Sequence, residues 1–335
     1  MLNKINLIFF LPNFSLGGAG NSITRLCSSL NQTNYNIFLI SLGKNFYKDI
    51  FKHKKNIHFI EIKSSKVIFA FFQIKKIVKN IIFNYKSKKT IFLSNIHYAN
   101  IISILALRKI ENVKIILIER TSIEELRIYN NFIELFKKKI ILFLVIHLYK
   151  FSDKIIANSK FVSNDLSKLI KKKVLTIHPP SIKKIYPARA KNIKFNNFKI
   201  IFIGRLSKKK GIELIIKSLA LLKKKRFILT IVGDGSDIKK LKILTSRLGL
   251  KRKIFFLGKK VNVKKYYMNA DLFINASYFE GLPNSIVEAI NYNVPCICSN
   301  SKGGTKEVLL NGRGGDFFKV GNYVDLSKKI NKFFE

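Results

Sequence analysis

The segment DLFINASYFEGLPNSIVEAIN, residues 271–291, decides how this chain is read. Asp271–Asn275 is a short apolar run, too short for a helix, and fits a strand buried on both faces. A loop of small and polar residues follows. Pro283 suits the first turn of a helix, because its φ is already helical and its missing N–H has no partner there anyway; that helix runs to about Asn291. A strand handing over to a helix through a short loop is half of a βαβ unit. In open α/β sheets ligands sit beyond the carboxyl ends of the strands, so this loop is where chemistry is expected.

The same alternation extends in both directions. Strands are predicted at Ile5–Leu11, Tyr35–Ser41, Ile57–Ile62, Thr90–Leu93, Val113–Ile118, Lys154–Ala157 and Val174–Ile177, with helices such as Ser22–Leu30, Val67–Phe83 and Ala99–Arg108 between them. The stretch IHPPSIKKIYP, 177–187, then holds three of the six prolines and reads as an extended linker. After it the pattern restarts with strands Lys199–Ile203, Phe227–Val232 and Lys253–Leu257, and helices Ile212–Leu222, Asp237–Leu248 and Val324–Phe333. Thirteen of the 17 glycines lie from Gly204 onward, which marks the second half as a different domain. The predicted organisation is α/β with two parallel-sheet domains, 1–182 and 190–335, joined by a linker at 183–189, and a ligand in the cleft between them.

The 63 Lys and Arg against 19 Asp and Glu give a formal charge of +44, which invites anionic partners. The lysines are spread along the chain among Ile, Asn and Phe, so residue bias explains most of the excess. Five histidines all precede residue 180 and the three cysteines, Cys27, Cys296 and Cys298, have no zinc spacing, so neither a structural metal nor a disulfide framework is expected. The apolar N-terminus MLNKINLIFFLPNF lacks a small-residue cleavage site and reads as a buried first strand. The run IILFLVIHLY, 140–149, is too short to span a bilayer; we read it as a core helix in preference to an interfacial one.

Four loops can carry chemistry. In the opening segment the N–H groups of Asn284, Ser285 and Ile286 are expected free at a helix start, where they favour an anion. Glu280 in the loop and Glu288 one turn into the helix can each accept from two vicinal hydroxyls, as of a ribose or hexose. FIGRLSKKKGIELI, 202–215, delivers Arg205 and Lys210 to a strand end and helix start, a planar fork plus a point charge suited to a diphosphate. LPNFSLGGAGNSITRL, 11–26, has Gly17 and Gly18 in a turn that lets a ligand approach the backbone, with a helix predicted from about Asn21. The fourth, IVGDGSDIKKL with FFLGKKV, is unspecific. Polyol, phosphate and cations together describe a nucleotide sugar.

The motifs GRLSKKKG, VGDGSDIKKL, FLGKKV and ADLFINASYFEGLPNSIVEAI, in that order over about residues 198–326, resemble glycosyltransferase family 4. The E-x(7)-E spacing of Glu280 and Glu288 is the specific part. The resemblance implies the glycosyltransferase-B fold, two Rossmann-like domains facing across a cleft, and transfer of a sugar from a nucleotide sugar with retention and no required metal or cofactor. It implies that Arg205 and Lys210 bind the diphosphate, Glu280 the donor-sugar hydroxyls and Glu288 the ribose. The backbone around Asn284–Ile286 would meet phosphate or sugar, Gly281 would also contact substrate, and Gly17 and Gly18 would meet the donor from the other domain. His97, in SNIHYAN, would touch donor or acceptor, with a surface histidine as the alternative. Glu119 and Arg120, in ERTS, resemble a Ser-Glu-Arg element of bacterial polysaccharide members, and Arg120 belongs near the cleft.

The chain departs from the pattern at Gly20, where the family usually has Glu, at His178, where it usually has Asn, and at its end, where a last helix usually crosses back to the first domain. The implied acceptor is a glycan or lipid-linked saccharide, UDP-linked donors being the commoner case. The basic segment 63–83 would then rest on an anionic inner-membrane surface, and the protein would be cytoplasmic and peripheral. Two other functions are compatible with the residues: nucleic-acid binding, from the charge, although no binding module is recognisable and no specific nucleic acid is expected, and a nucleotide-sugar-binding protein that has lost catalysis.

Overall fold

A computed structural model describes all residues except 1–3, 15, 16, 32, 44, 46, 65, 66, 130, 188–196 and 335. The chain divides into two compact units, Met1–Pro180 and Ser181–Glu335. Both are parallel sheets with helices on the two faces.

The first unit runs β1 (Ile5–Phe10), α1 (Gly18–Ser29), β2 (Tyr35–Leu42), β3 (Ile57–Ile62), α2 (Phe71–Asn84), β4 (Lys89–Asn95), α3 (His97–Leu107), β5 (Val113–Glu119), α4 (Glu124–Arg127), α5 (Phe132–Leu148), β6 (Lys154–Ala157), α6 (Lys160–Ile170) and β7 (Leu175–Thr176). Its seven strands lie in the order β3-β2-β1-β4-β5-β6-β7. Ile8 pairs with Phe38 on one side and Phe92 on the other. Successive residues of a strand face opposite sides, so Ile8 and Phe10 enter the core under α2 and α3, while Leu7 and Phe9 enter the one that includes Ile23 and Cys27 of α1. That double burial is why β1 is apolar at nearly every position.

The second unit runs β8 (Phe198–Ile203), α7 (Ile212–Leu221), β9 (Phe227–Val232), α8 (Ile238–Arg247), β10 (Ile254–Phe256), α9 (Lys264–Met268), β11 (Leu272–Asn275), α10 (Asn284–Asn291), β12 (Cys296–Ser299), α11 (Thr305–Val308), β13 (Asp316–Phe318) and α12 (Tyr323–Asn331). The strand order is β10-β9-β8-β11-β12-β13. Ile200 and Phe202 face a core shared with α7 and α12, and Ile201 faces one shared with α9 and α10. The cysteines are buried and unpaired. Residues 181–187 lie along the second unit: the Asn291 and Asn293 side chains donate to the carbonyls of Lys184 (3.0 Å) and Pro187 (2.9 Å).

Three expectations need correction. Helix α1 starts at Gly18, not near Asn21: the Asn21 N–H already donates to the Gly17 carbonyl (2.9 Å), and the Ser22 hydroxyl turns back to the Ala19 carbonyl (2.9 Å) instead of capping. His97 is buried, not a surface histidine (2 % exposed). The run 140–149 is not a buried core helix. Residues 140–148 are the second half of α5, in which Val145 alone is fully buried, and Tyr149, fully buried, follows in a 3-10 turn; Ile141, Leu142, Leu144 and Leu148 pack against the core, while Ile140 and Phe143 are exposed, as are Phe132, Ile133 and Phe136 before them. The reason is position: α5 packs on α3, which is itself buried at nine of its eleven residues, so α3 and not α5 is the core helix.

Candidate functional site

In both sheets the strand order reverses direction next to the first strand of the unit, between β1 and β4 and between β8 and β11. Such a switch point opens a crevice at the carboxyl ends of the two strands. In the second unit that crevice collects the residues singled out above. Arg205 is exposed two residues past the end of β8. A 3-10 turn at Lys208–Lys210 follows and closes on Gly211, whose φ is 60°. A Cβ there would lie 2.1 Å from the Ala276 carbonyl oxygen, so only glycine lets this turn rest on the loop after β11. The Tyr278 N–H donates to the Lys209 carbonyl (2.9 Å), which fixes the same contact.

The result is an ion pair between neighbouring loops. The Lys210 ammonium donates to the Glu280 carboxylate, and the Ser277 hydroxyl donates to the same oxygen at 2.7 Å. Their side chains are 18 % and 11 % exposed, so the pair is screened from water without being sealed off. Burial raises the pKa of Glu280, but Lys210, Ser277 and Lys209 outweigh it and hold the carboxyl below the usual carboxylate range. The carboxylate is therefore an acceptor at neutral pH. Behind it, Gly303 has φ 128°, and a Cβ on it would lie 1.9 Å from the Glu280 carbonyl oxygen. The Glu280 N–H donates to Lys302 (3.1 Å), and the Gly281 carbonyl accepts from Gly304 (2.7 Å).

At the start of α10 the three expected amides are not equivalent. The Ile286 N–H donates to the Pro283 carbonyl (3.0 Å) and its side chain is buried, so its amide is not free for an anion. That 3-10 type bond tightens the first turn, as at many helix starts. The Asn284 side chain accepts from the Ser181 hydroxyl at 2.8 Å. The Ser285 carbonyl and one Glu288 oxygen both lie within reach of the Tyr267 hydroxyl, at 3.0 and 3.2 Å.

The crevice of the first unit is built differently. Gly17 and Gly18 are exposed at the start of α1, and the Gly17 N–H donates to the Tyr47 hydroxyl (3.3 Å). Arg120 follows β5. Its guanidinium donates to Asn95 at the end of β4 (2.8 Å) and to Ser22 in α1 (2.7 Å), and burial pushes its pKa down to about 10. It thus stitches three elements together through neutral partners. His97 opens α3 directly after Ile96, which sits at φ 79°, a strained value for a β-branched residue. The His97 ring lies 3.8 Å from Glu119, and neither of its nitrogens has a hydrogen-bond partner. Glu119 is fully buried and accepts from Asn100 (2.9 Å) and from the Tyr149 hydroxyl, whose pKa is raised well above its usual value by burial and by Glu119.

Ser277, Tyr267, Ser181 and the partners of Glu119, Asn100 and Tyr149, were not singled out from the sequence. Ser277 is three residues before Glu280, and that is its one visible signal; the others meet their partners only through the fold. Among the described residues no group of three or more His, Cys, Asp or Glu side chains comes together as a metal site.

Residues 16–181 match the family described as Glycosyltransferase Family 4, and residues 187–335 match the one described as glycosyl transferases group 1. The chain is a family 4 glycosyltransferase with the GT-B fold. This glycosyltransferase is 26 % identical to a Campylobacter jejuni N-acetylgalactosamine-N,N'-diacetylbacillosaminyl-diphospho-undecaprenol 4-alpha-N-acetylgalactosaminyltransferase, over 97 % of this chain and 89 % of that one. It is 29 % identical to an uncharacterized glycosyltransferase of Methanocaldococcus jannaschii over 93 % and 80 % of the two chains. Among solved structures, sucrose-phosphate synthase from Thermosynechococcus elongatus superposes with a TM-score of 0.82 at 16 % identity, covering 99 % of this chain and 90 % of that one. The Anabaena protein HepE, in complex with UDP and glucose, gives 0.76 at 17 %, covering 98 % and 89 %.

Proposed function

We propose that this glycosyltransferase moves a hexose or N-acetylhexosamine from a UDP-linked donor to a lipid-linked or polysaccharide acceptor, with retention of anomeric configuration, in envelope glycan synthesis. The observation that carries the proposal is the ion pair of Lys210 with Glu280 beside Arg205 at the β8–β11 crevice. Arg205 would take the diphosphate with its planar fork. Lys210 would shift part of its charge from Glu280 to the leaving diphosphate as negative charge develops there. Glu280, kept ionised and held by Ser277, would accept from donor-sugar hydroxyls, and Glu288 from the ribose. Gly17, Gly18, His97 and Arg120 are the first unit's candidates for donor and acceptor contacts. No cofactor or metal enters this scheme. Retention rests on the E-x(7)-E resemblance, and the UDP donor and lipid-linked acceptor on the names of the similar proteins.

Transfer from UDP-hexoses and UDP-N-acetylhexosamines to undecaprenyl-diphosphate-linked saccharides tests the chemistry. Proton NMR of the product should show the donor's α configuration; a β product contradicts retention, and transfer to none of these acceptors contradicts the acceptor class.

We also propose that the protein rests on an anionic membrane surface through helices α2 and α5, each of which packs against α3. At 3.6 residues per turn Phe132, Phe136, Ile140 and Phe143 fall on one exposed stripe, with Lys137 and Lys139 on its two sides. On α2, Phe72 and Phe83 stand exposed among Lys75, Lys76 and Lys79. Apolar stripes flanked by lysine suit an anionic lipid surface. Among the described residues no helix is long and apolar enough to cross a membrane. Co-sedimentation with phosphatidylglycerol vesicles should be lost in Phe136→Glu/Phe143→Glu, with transfer to a detergent-solubilised acceptor retained; undiminished sedimentation contradicts this face.

A further inference from the structure

Helix α9 is only five residues long, yet it places the ring of Tyr267 wholly inside the second unit. Its hydroxyl reaches Glu288 Oε2 at 3.2 Å and the Ser285 carbonyl at 3.0 Å. Both partners are acceptors, so the single O–H proton is donated toward the start of α10 and shared between them. The ring stacks on Tyr292, with centroids 5.5 Å apart and planes at 19°. Tyr292 in turn meets Tyr186, 5.1 Å away, in the segment that leads into the second unit. That segment is strapped to the same helix at three more points, Ser181 to Asn284 (2.8 Å), the Tyr186 N–H to Asn291 (3.4 Å) and Asn291 to the Lys184 carbonyl (3.0 Å), and just past it Asn293 donates to the Pro187 carbonyl (2.9 Å).

We infer that Tyr267 is a positioning residue for the donor: its hydroxyl fixes the Glu288 carboxylate in the rotamer that accepts the ribose diol, and the Tyr292–Tyr186 stack holds that hydroxyl in place. The inference rests on the proposed role of Glu288 at the ribose. Glu288 is half-buried on a short helix; losing the buried Tyr267 donor would let its carboxylate sample more rotamers, and binding would have to freeze them. Burial, and secondarily the charge of Glu288, push the Tyr267 pKa well above its usual value, so the hydroxyl keeps its proton over the working pH range. It can therefore only steer the carboxylate; it offers no base.

The test is calorimetric binding of UDP, GDP and ADP to the full chain, followed by the 2′,3′-dideoxy form of whichever binds. Tyr267→Phe keeps the stack and removes the hydroxyl. It should weaken the ribonucleotide about tenfold, the size of one hydrogen bond to a charged group, and the dideoxynucleotide less than about twofold. In Glu288→Gln the same change should add little further loss, because the partner charge is already gone. Equal losses for both nucleotides mean a merely structural tyrosine and overturn the inference, as does an unchanged ribonucleotide affinity. If Tyr267→Phe is not recovered folded, Tyr292→Leu reads the same ratio: a fall of at least about threefold in the ribose preference, a fraction of one hydrogen bond, supports the inference and an unchanged ratio overturns it. If none of the three nucleotides binds the wild-type chain, the donor reading itself fails and the inference falls with it, a result unlike any produced by the variants.

Discussion

The two crevices occupy the same place in their sheets but are held together by opposite means. At the β8–β11 crevice the charged groups meet across neighbouring loops: Lys210 holds Glu280, Ser277 supports the same oxygen, and glycines at 211 and 303 let the backbones touch. At the β1–β4 crevice the carboxylate of Glu119 lies fully inside, bonded to Asn100 and Tyr149, while Arg120 is spent on Asn95 and Ser22. The first arrangement can exchange its internal partners for those of a ligand at small cost, because water reaches its rim. The second cannot give up a partner without leaving a buried polar group unsatisfied. The difference sets the ion pair proposed to meet the donor apart from first-unit groups that their own partners hold rigid.

Glu280→Ala should break that contrast most severely. The donor hydroxyls lose their acceptor and Lys210 its partner, so kcat should fall by about 100-fold or more, while thermal unfolding shows an intact fold. Full turnover in this variant contradicts the assignment. Arg205→Ala comes next. Removing one charge-assisted contact to a diphosphate should weaken nucleotide binding about 10- to 100-fold, and Arg205→Lys should restore part of it as a point charge lacking the fork. Equal binding in all three forms removes Arg205 from the site.

Glu119→Ala should do the reverse, lowering stability more than donor affinity. It strands the Tyr149 hydroxyl and the Asn100 amide, at about 1–3 kcal/mol for each unsatisfied group, and the unfolding midpoint should drop by several degrees. A variant with normal stability and abolished donor binding would place Glu119 in the chemistry after all. The smallest effect is in acid. The Glu280 pKa is lower folded than unfolded, so its contribution to stability is complete above the ordinary carboxylate pKa and is lost as pH falls through the folded value. Glu280→Gln should flatten the acid limb of a stability–pH curve below about pH 4, near the unperturbed value for Glu; an unchanged limb means that the pair with Lys210 does not form in solution.

The contrast also explains what was legible in the sequence. Strands buried on both faces are apolar runs of fixed length, so β1, β2, β9 and β11 stand out and with them the two α/β units. Arg205, Lys210, Glu280 and Glu288 were visible because each follows a strand in a loop or at a helix start, where an unusual residue has no packing reason to be present. The short pieces α9, α11 and β13 carry too few residues to show a period. Tyr267 looks like any core aromatic until its hydroxyl is seen to face Glu288. Glu119 was visible as the neighbour of Arg120 in ERTS, but its complete burial against Asn100 and Tyr149 shows only in the fold. Helix α5 misled for a physical reason: an exposed apolar stripe and a core-facing stripe are alike in composition, and only the neighbouring helix decides which one is covered.

The most direct test of the donor site is equilibrium binding of UDP to the wild-type chain, to Arg205→Ala and to Glu288→Ala, measured by calorimetry at fixed ionic strength. Binding in the wild type, with a loss of about tenfold or more in each variant and unchanged unfolding midpoints, is the expected result. Wild-type affinity in both variants would contradict the placement of the nucleotide at the β8–β11 crevice.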